Sequence, residues 1–282
     1  AALAQTAEDP YLWLEEVTGE RAMAWVKEQN AKSQPAIESD PGFKPLLESL
    51  TAIVTSRERI PAVAKLGSHL YNFWQDAKNP RGIWRRTTAD EYRKAAPAWE
   101  TVLDLDRLSE AESEKWAWKG AQCLYPKYER CLVSLSRGGG DAVVVREFDI
   151  ARKAFVDGGF SLPESKGAAS WIDENTIYAA RDFGAGTLTK SGYPRQVKRL
   201  ARGQDVAAAP VVFEASDGDV GAWPEVIHEP GYRTETVIRS ISIRFAERFV
   251  RAGDAFAKLD IPPSAETSIA AARAAPTVPR RQ

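Results

Sequence analysis

Two imidazoles, His69 and His228, are the chain's whole stock of side chains that titrate naturally near neutral pH. A serine or threonine nucleophile needs such a neighbour to take its proton. It also needs a turn that exposes its oxygen, which in α/β hydrolases is spelled Gly-x-Ser-x-Gly. None of the 282 residues spells that turn. Each histidine therefore reads as a surface or hydrogen-bonded residue, with no catalytic role. His228-Glu229 opens like a zinc-protease helix motif, but Pro230-Gly231 follow and no second histidine completes it. Cys123 and Cys131, eight apart, either bridge neighbouring strands or remain reduced, partly buried thiols. Two cysteines do not make a disulfide scaffold, which favours the thiols, and no CxxC or nearby histidine makes them a zinc site. Gly138-Gly139-Gly140 lacks the Gly-Lys-Ser/Thr ending of a phosphate loop and reads as a hairpin turn. Asp182-Phe183-Gly184 has none of the companion elements of a kinase. Asp104, Asp106 and the acids of SEAESE lack the calcium-loop pattern and read as a solvated face. Arg81, Arg85 and Arg86 beside Trp84 read as a strand with a solvated side, not a nucleic-acid platform. No catalytic, cofactor-binding or metal-binding residue emerges.

Composition agrees with these exclusions. The formal net charge is −1, so no basic face is forced and nucleic acid is not an expected partner. No run of eighteen apolar residues exists to span a membrane as a helix. Nine tryptophans against one methionine suit aromatic-filled β layers. Ala2-Leu3-Ala4 has the small-x-small form of an export cleavage site. Residues 1–8 are thus the tail of an export signal or a disordered alanine-rich start. The first reading implies a periplasmic or secreted protein, the second leaves a cytoplasmic one open.

The elements follow from periodicity. Residues 9–66 read as a helical arm. Tyr11, Trp13, Leu14 and Val17 lie on one stripe of a first helix. Thr18 is a plausible cap for a second helix carrying Ala22, Trp25 and Val26. Phe43, Leu46, Leu47, Leu50, Ile53 and Val54 mark a third. From Gly67 the period becomes two. SHLYNFWQD, GIWRRTTAD, WETVLDLD, WAWKGAQCLYP, RCLVSLSRGGGD, AVVVREFDI and FVDGGFSLP read as strands, with SEAESEKW a helical-looking turn between. AASWI and TIYAARDF flank a tight turn at Asp173-Glu174-Asn175, and RQVKRLARG, PVVFEASD, VGAWPEVIHEP and FAKLD continue the rhythm. A four-stranded propeller blade takes roughly 40–50 residues, so 67–265 holds about four. The remainder, 266–282, is alanine-rich, basic and proline-broken, and reads as a disordered tail.

Asp9-Pro10-Tyr11, Trp13-Leu14-Glu15, and the later Trp25-Val26 with Gln29-Asn30, resemble the opening of the prolyl oligopeptidase family of serine peptidases. WKGAQCLYPKYERCLVSLSRGGGDAVVVREFD (118–149) and WIDENTIYAARDFGAGTLTKSGYPRQVKRLARG (171–203) resemble its early propeller, in family order. The resemblance implies a mainly β fold: an N-terminal helical arm, then an incomplete β-propeller with about four of the family's seven blades. It implies short peptide substrates, and an α/β-hydrolase domain that bears the Ser-Asp-His triad and receives the arm. The arm's stripe otherwise packs on this chain's own strands.

That triad is missing from these 282 residues. The resemblance thus implies the arm and gating propeller portion of a serine endopeptidase, inactive alone, with preference for proline or for basic residues undecided. The alternative is a non-catalytic propeller-like binding module whose open edge pairs with another chain.

Overall fold

The computed structural model describes residues 9–265 apart from Val17 and Arg57. The export-signal reading of 1–8, the tail reading of 266–282 and the place of Val17 on the first stripe lie outside the described residues. The chain divides into two compact units, Ala1–Arg59 and Ile60–Gln282.

In the first unit the Asp9-Pro10 start builds one 3₁₀ turn, Leu12–Glu15, in place of the expected first helix. Asp9 accepts a hydrogen bond from the Tyr11 amide at 2.8 Å, and the Trp13 indole donates to the Pro10 carbonyl at 3.0 Å. These local bonds satisfy the segment before a second helical turn forms. Helix α1 (Glu20–Glu38) is capped by Gly19 and no side chain, so Thr18 does not serve as the expected cap. Trp13 and Trp25 meet edge to face at 6.2 Å, with Arg21 over the Trp13 ring at 4.2 Å. After a turn in which Asp40 accepts from the Gly42 amide at 2.7 Å, α2 runs Phe43–Thr55. Its Leu46, Leu47, Leu50, Ile53 and Val54 share one stripe and are all at least half exposed.

The second unit is four antiparallel sheets in chain order. Sheet I holds β1 (Ala64–Leu66), β2 (His69–Asp76), β3 (Asn79–Thr88) and, beyond the one-turn helix α3 (Ala89–Tyr92), β4 (Glu100–Asp104). After α4 (Leu105–Ala111), sheet II holds β5 (Trp116–Cys123), β6 (Arg130–Arg137), β7 (Val143–Asp149), β8 (Ala154–Phe155) and β9 (Ser161–Ser165). Sheet III holds β10 (Ala168–Asp173), β11 (Thr176–Ala180), β12 (Gln196–Ala201) and β13 (Val211–Glu214). Sheet IV holds β14 (Gly221–Glu229), β15 (Tyr232–Ser240), β16 (Ala246–Ala252) and β17 (Ala255–Lys258). No strand pairing among the described residues joins sheet IV to sheet I. The architecture is an incomplete propeller of four blades.

Three cores fill the spaces between consecutive sheets. Tyr71, Trp84, Val133, Leu135 and Phe148 pack between I and II. Leu132, Val145, Leu162, Trp171 and Ile177 pack between II and III. Ile172, Tyr178, Val197, Val226 and Val237 pack between III and IV. Alternation explains the split: Val133 and Leu132 are neighbours on β6 and point to opposite faces. Thr176–Ala180 is buried at every position, because Ile177 and Ala179 face sheet II while Tyr178 and Ala180 face sheet IV.

Two expectations need correction. Cys123 and Cys131 form a disulfide and are not free thiols. The β5–β6 register sets them directly opposite each other at the last pair before the loop, a coincidence of pairing that spacing alone does not reveal. FVDGGFSLP is not one strand. Asp157-Gly158-Gly159 breaks it, with Gly158 at φ +66°, so that β8 and β9 both pair with β7 at different places.

Candidate functional site

The inner strands of sheets II, III and IV, which share no ladder, are stitched together by side chains. From β5, Gln122 donates through Nε2 to Ser170 Oγ at 3.2 Å and accepts from the Trp171 amide at 3.2 Å. The Trp171 indole returns a bond to the Gln122 carbonyl at 2.9 Å. Ser170 Oγ also accepts from the Val226 amide on β14 at 3.0 Å. Ser170 and Trp171 are buried while Gln122 stands at the exposed edge of the network, which satisfies buried donors that would otherwise cost about 1–3 kcal/mol each.

The stitching brings three hairpin ends to one place: the β5–β6 loop (124–130), the β10–β11 turn (173–175) and the β14–β15 turn (229–232). Between them lies a cleft of about 610 Å³. The loop supplies Tyr125, Lys127 and Arg130, the turns supply Asp173, Glu174 and Tyr232, and His228 and Arg233 close the floor. No serine lines it. His228 Nε2 lies 3.0 Å from the Trp171 carbonyl oxygen. A carbonyl only accepts, so this nitrogen carries the proton and is already committed. Tyr125 lies across the His228 ring at 6.4 Å, with the ring planes 24° apart. Arg130 pairs with Asp149 at 3.2 Å, and Arg233 donates to the Ile172 carbonyl at 3.1 Å and pairs with Glu235 at 2.7 Å. The Tyr232 phenol donates to Glu229, which pushes its pKa up. The cleft is amphipathic, with aromatic rings beside fixed charges. Such walls can hold a short peptide segment.

The other imidazole is in sheet I. His69 Nδ1 sits 3.1 Å from the hydroxyl of its exposed neighbour Ser68, and its ring meets Tyr71 edge to face. Among the described residues no carboxylate is bonded to His69. The nearby acids are used elsewhere: Glu100 by Arg86 and Lys153, and Glu91 by Lys94. A serine adjacent in sequence, with nothing orienting the ring, is a local contact and not a nucleophile–base pair. Among the described residues the buried hydroxyls of Ser109 and Ser136 have no hydrogen-bond partner. Among the described residues no group of three His, Cys, Asp or Glu side chains gathers to hold a metal, and no helix is long and apolar enough to cross a membrane. Gly138-Gly139-Gly140 forms the expected turn between β6 and β7, with φ of +62° and +88° at the first two.

With this geometry fixed, comparison with known proteins is decisive. The family model for the prolyl oligopeptidase N-terminal β-propeller domain matches residues 3–222. The chain belongs to the prolyl oligopeptidase family. It is 42% identical over 225 residues to an uncharacterized peptidase, y4nA, of Sinorhizobium fredii, an alignment covering 79% of this chain and 31% of that protein. It is 33% identical over 211 residues to the uncharacterized peptidase RP174 of Rickettsia prowazekii, covering 72% and 29%. A solved structure of a post-proline cleaving enzyme from Rickettsia typhi superposes with a TM-score of 0.81 at 27% identity, over 89% of this chain and 38% of that one. The chain therefore spans about a third of the length of the relatives it matches, and it corresponds to their N-terminal propeller.

The cleft was missed in the sequence because its lining comes from three hairpins 40 or more residues apart. Of the three, only Asp173-Glu174-Asn175 reads as a tight turn from sequence. The one usable signal was the polar-aromatic loop YPKYER between two strand patterns, at residues 125–130.

Proposed function

We propose that this chain is the N-terminal arm and gating portion of a prolyl oligopeptidase-type serine endopeptidase that acts on short peptides. The helical arm precedes a partial propeller that runs to about residue 265. The observation that carries the reading is the family match over residues 3–222, which spans the first three of four consecutive propeller sheets and reaches the start of the fourth. The hydrolytic chemistry falls to residues other than these 282. No Gly-x-Ser-x-Gly is present, one imidazole is held by a carbonyl and the other by its neighbour. We propose cleavage after proline over cleavage after basic residues, supported by the likeness to the Rickettsia typhi enzyme. We also propose an oxidising compartment, periplasmic or extracellular, in which the Cys123–Cys131 disulfide persists.

The test is an active-serine fluorophosphonate probe and a chromogenic proline-containing peptide, applied to the purified chain and to the same chain fused to the hydrolase domain of the Rickettsia typhi enzyme. The chain alone is expected neither to label nor to turn over, and the fusion to do both. Labelling that maps to a serine of this chain overturns the reading.

A further inference from the structure

The cleft wall that sequence reasoning missed is also the only part of the described structure closed by a covalent cross-link. Cys123 and Cys131 stand at the mouth of the β5–β6 hairpin, and their disulfide closes the loop 124–130. That loop provides six residues of the cleft: Leu124, Tyr125, Pro126, Lys127, Glu129 and Arg130. We propose that Cys123–Cys131 is a redox-operated clamp on this cleft, rigid when oxidised and loosened by a dithiol reductant. The proposal deepens the peptide-gating reading and rests on it for its biological meaning.

Three observations support a switch over a mere staple. The first is asymmetry: Cys131 has none of its surface exposed, while Cys123 is only half-buried. Of the two residues, Cys123 is therefore the one with surface from which a reductant thiolate can approach. Its attack on the Cys123 sulfur breaks the S–S bond, whose electron pair leaves on the Cys131 sulfur, and that sulfur takes up a proton. The reductant's second thiolate then attacks its own first sulfur, the bond to Cys123 breaks with its electron pair leaving on the Cys123 sulfur, and that sulfur takes up a proton, leaving two cysteine thiols and one oxidised dithiol.

The second is that the fold accepts the product. Cys131 belongs to the core between sheets I and II, with Tyr71, Trp84 and Phe148, where a neutral thiol behaves as a small apolar residue. The β5–β6 ladder continues through six further pairs, from Gln122↔Leu132 down to Trp116↔Arg137, so sheet II does not depend on the bond.

The third is how little else holds the loop. The Leu124 amide donates to the Arg130 carbonyl and the Tyr128 amide to the Leu124 carbonyl, each at 2.8 Å. Arg130 is anchored by Asp149, and Tyr125 leans on His228 across a gap of 6.4 Å. Among the described residues the stretch from Tyr125 to Glu129, which carries the cleft's aromatic wall, has two further ties, one at its end where the Glu129 carbonyl accepts from the Ile150 amide at 3.0 Å and one internal where the Tyr125 and Tyr128 rings meet edge to face at 5.8 Å. Removing a cross-link widens the conformations such a short loop can visit.

Hydrogen exchange read by mass spectrometry tests this on the purified chain, oxidised and after dithiothreitol, with alkylation mass shifts counting the free thiols. Reduction is expected to raise exchange of the Leu124 and Tyr128 amides, the loop's hydrogen-bonded donors, at least tenfold and leave β6 and β7 protected. Cys123→Ser/Cys131→Ala is expected to show the fast loop without reductant and no response to it. Three results overturn the clamp: a disulfide inert to dithiothreitol in the folded protein, unchanged loop exchange after reduction, or loss of protection across sheet II. Because the readout needs no turnover, its failure leaves the peptidase assignment standing. Labelling of this chain by a fluorophosphonate would remove that assignment without touching the clamp.

Discussion

Replacing Glu147 by glutamine is the most informative single change to the propeller. Glu147 lies on β7 with its side chain about 1% exposed, and it reaches across to sheet III. Its oxygens accept from Arg202 at 2.7 and 3.1 Å, and one accepts the Phe160 amide at 2.9 Å. Arg130 stands 3.8 Å away. Glutamine keeps the volume and can still accept from Phe160. It loses the charge, and it turns an NH₂ group toward the Arg202 guanidinium. A charge-assisted bond is worth about 1.5–3 kcal/mol, and breaking a buried pair from one side costs about 3–5. Arg202 is 31% exposed, so water recovers part of that. The expected loss is about 3 kcal/mol, at the low end of the range. For a unit of this size that lowers Tm by about 6–12 °C in calorimetry. The double variant Glu147→Gln/Arg202→Met is expected to cost clearly less than the sum of its singles. A Tm change under about 2 °C, or strict additivity in the double-mutant cycle, refutes the claim that this pair joins the two blades.

Four further outcomes follow from the same structure. Gly167→Ala is expected to destabilise by more than about 3 kcal/mol in urea melts, because φ there is +147° and an added Cβ would stand 2.0 Å from the Ala180 carbonyl oxygen. Leu135→Ala, at a site with no exposed surface, is expected to cost about 2–5 kcal/mol by the same measure. Ser170→Ala leaves the Val226 amide without its acceptor at 3.0 Å, and is expected to cost about 1–3 kcal/mol and speed exchange at Val226. Hydrogen bonds from Arg86, and then Lys153, hold the Glu100 carboxyl down at about 2 from an ordinary 4.5. A folded pKa below the unfolded one contributes stability above about pH 4.5, lost as pH falls toward 2. Glu100→Gln is therefore expected to flatten the acid limb of a Tm-against-pH curve by a small amount, the side chain being 43% exposed.

Much of the architecture was legible because it is local. The change from a 3.6 to a 2 period near Gly67, and the turns at Gly138–Gly140 and Asp173–Asn175, each declare themselves within a few residues. The DPYLWLE opening, together with the stretches 118–149 and 171–203, carries the family resemblance. Its conformation was less legible, since Asp9 and Pro10 satisfy the segment with bonds that end it after one 3₁₀ turn. Non-local pairings were the illegible part. Cys123 meets Cys131 only because the strand register puts them opposite. Arg181 follows TIYAA directly in the chain. It is wholly buried, donating to the carbonyls of Val143, Pro163 and Ser165 in sheet II, and burial pulls its pKa down to about 10. Nothing adjacent in the chain announces those partners.

Each sheet completes its hydrogen bonding within one uninterrupted stretch: 64–104, 116–165, 168–214 and 221–258. Among the described residues no blade borrows a strand from another. Such a chain can be shortened or extended by whole units during evolution without unpicking any ladder, and each blade can zip up as it leaves the ribosome, before its neighbour exists. The interfaces between units, where Glu147 and Gln122 sit, are then the seams at which this modular assembly is won or lost.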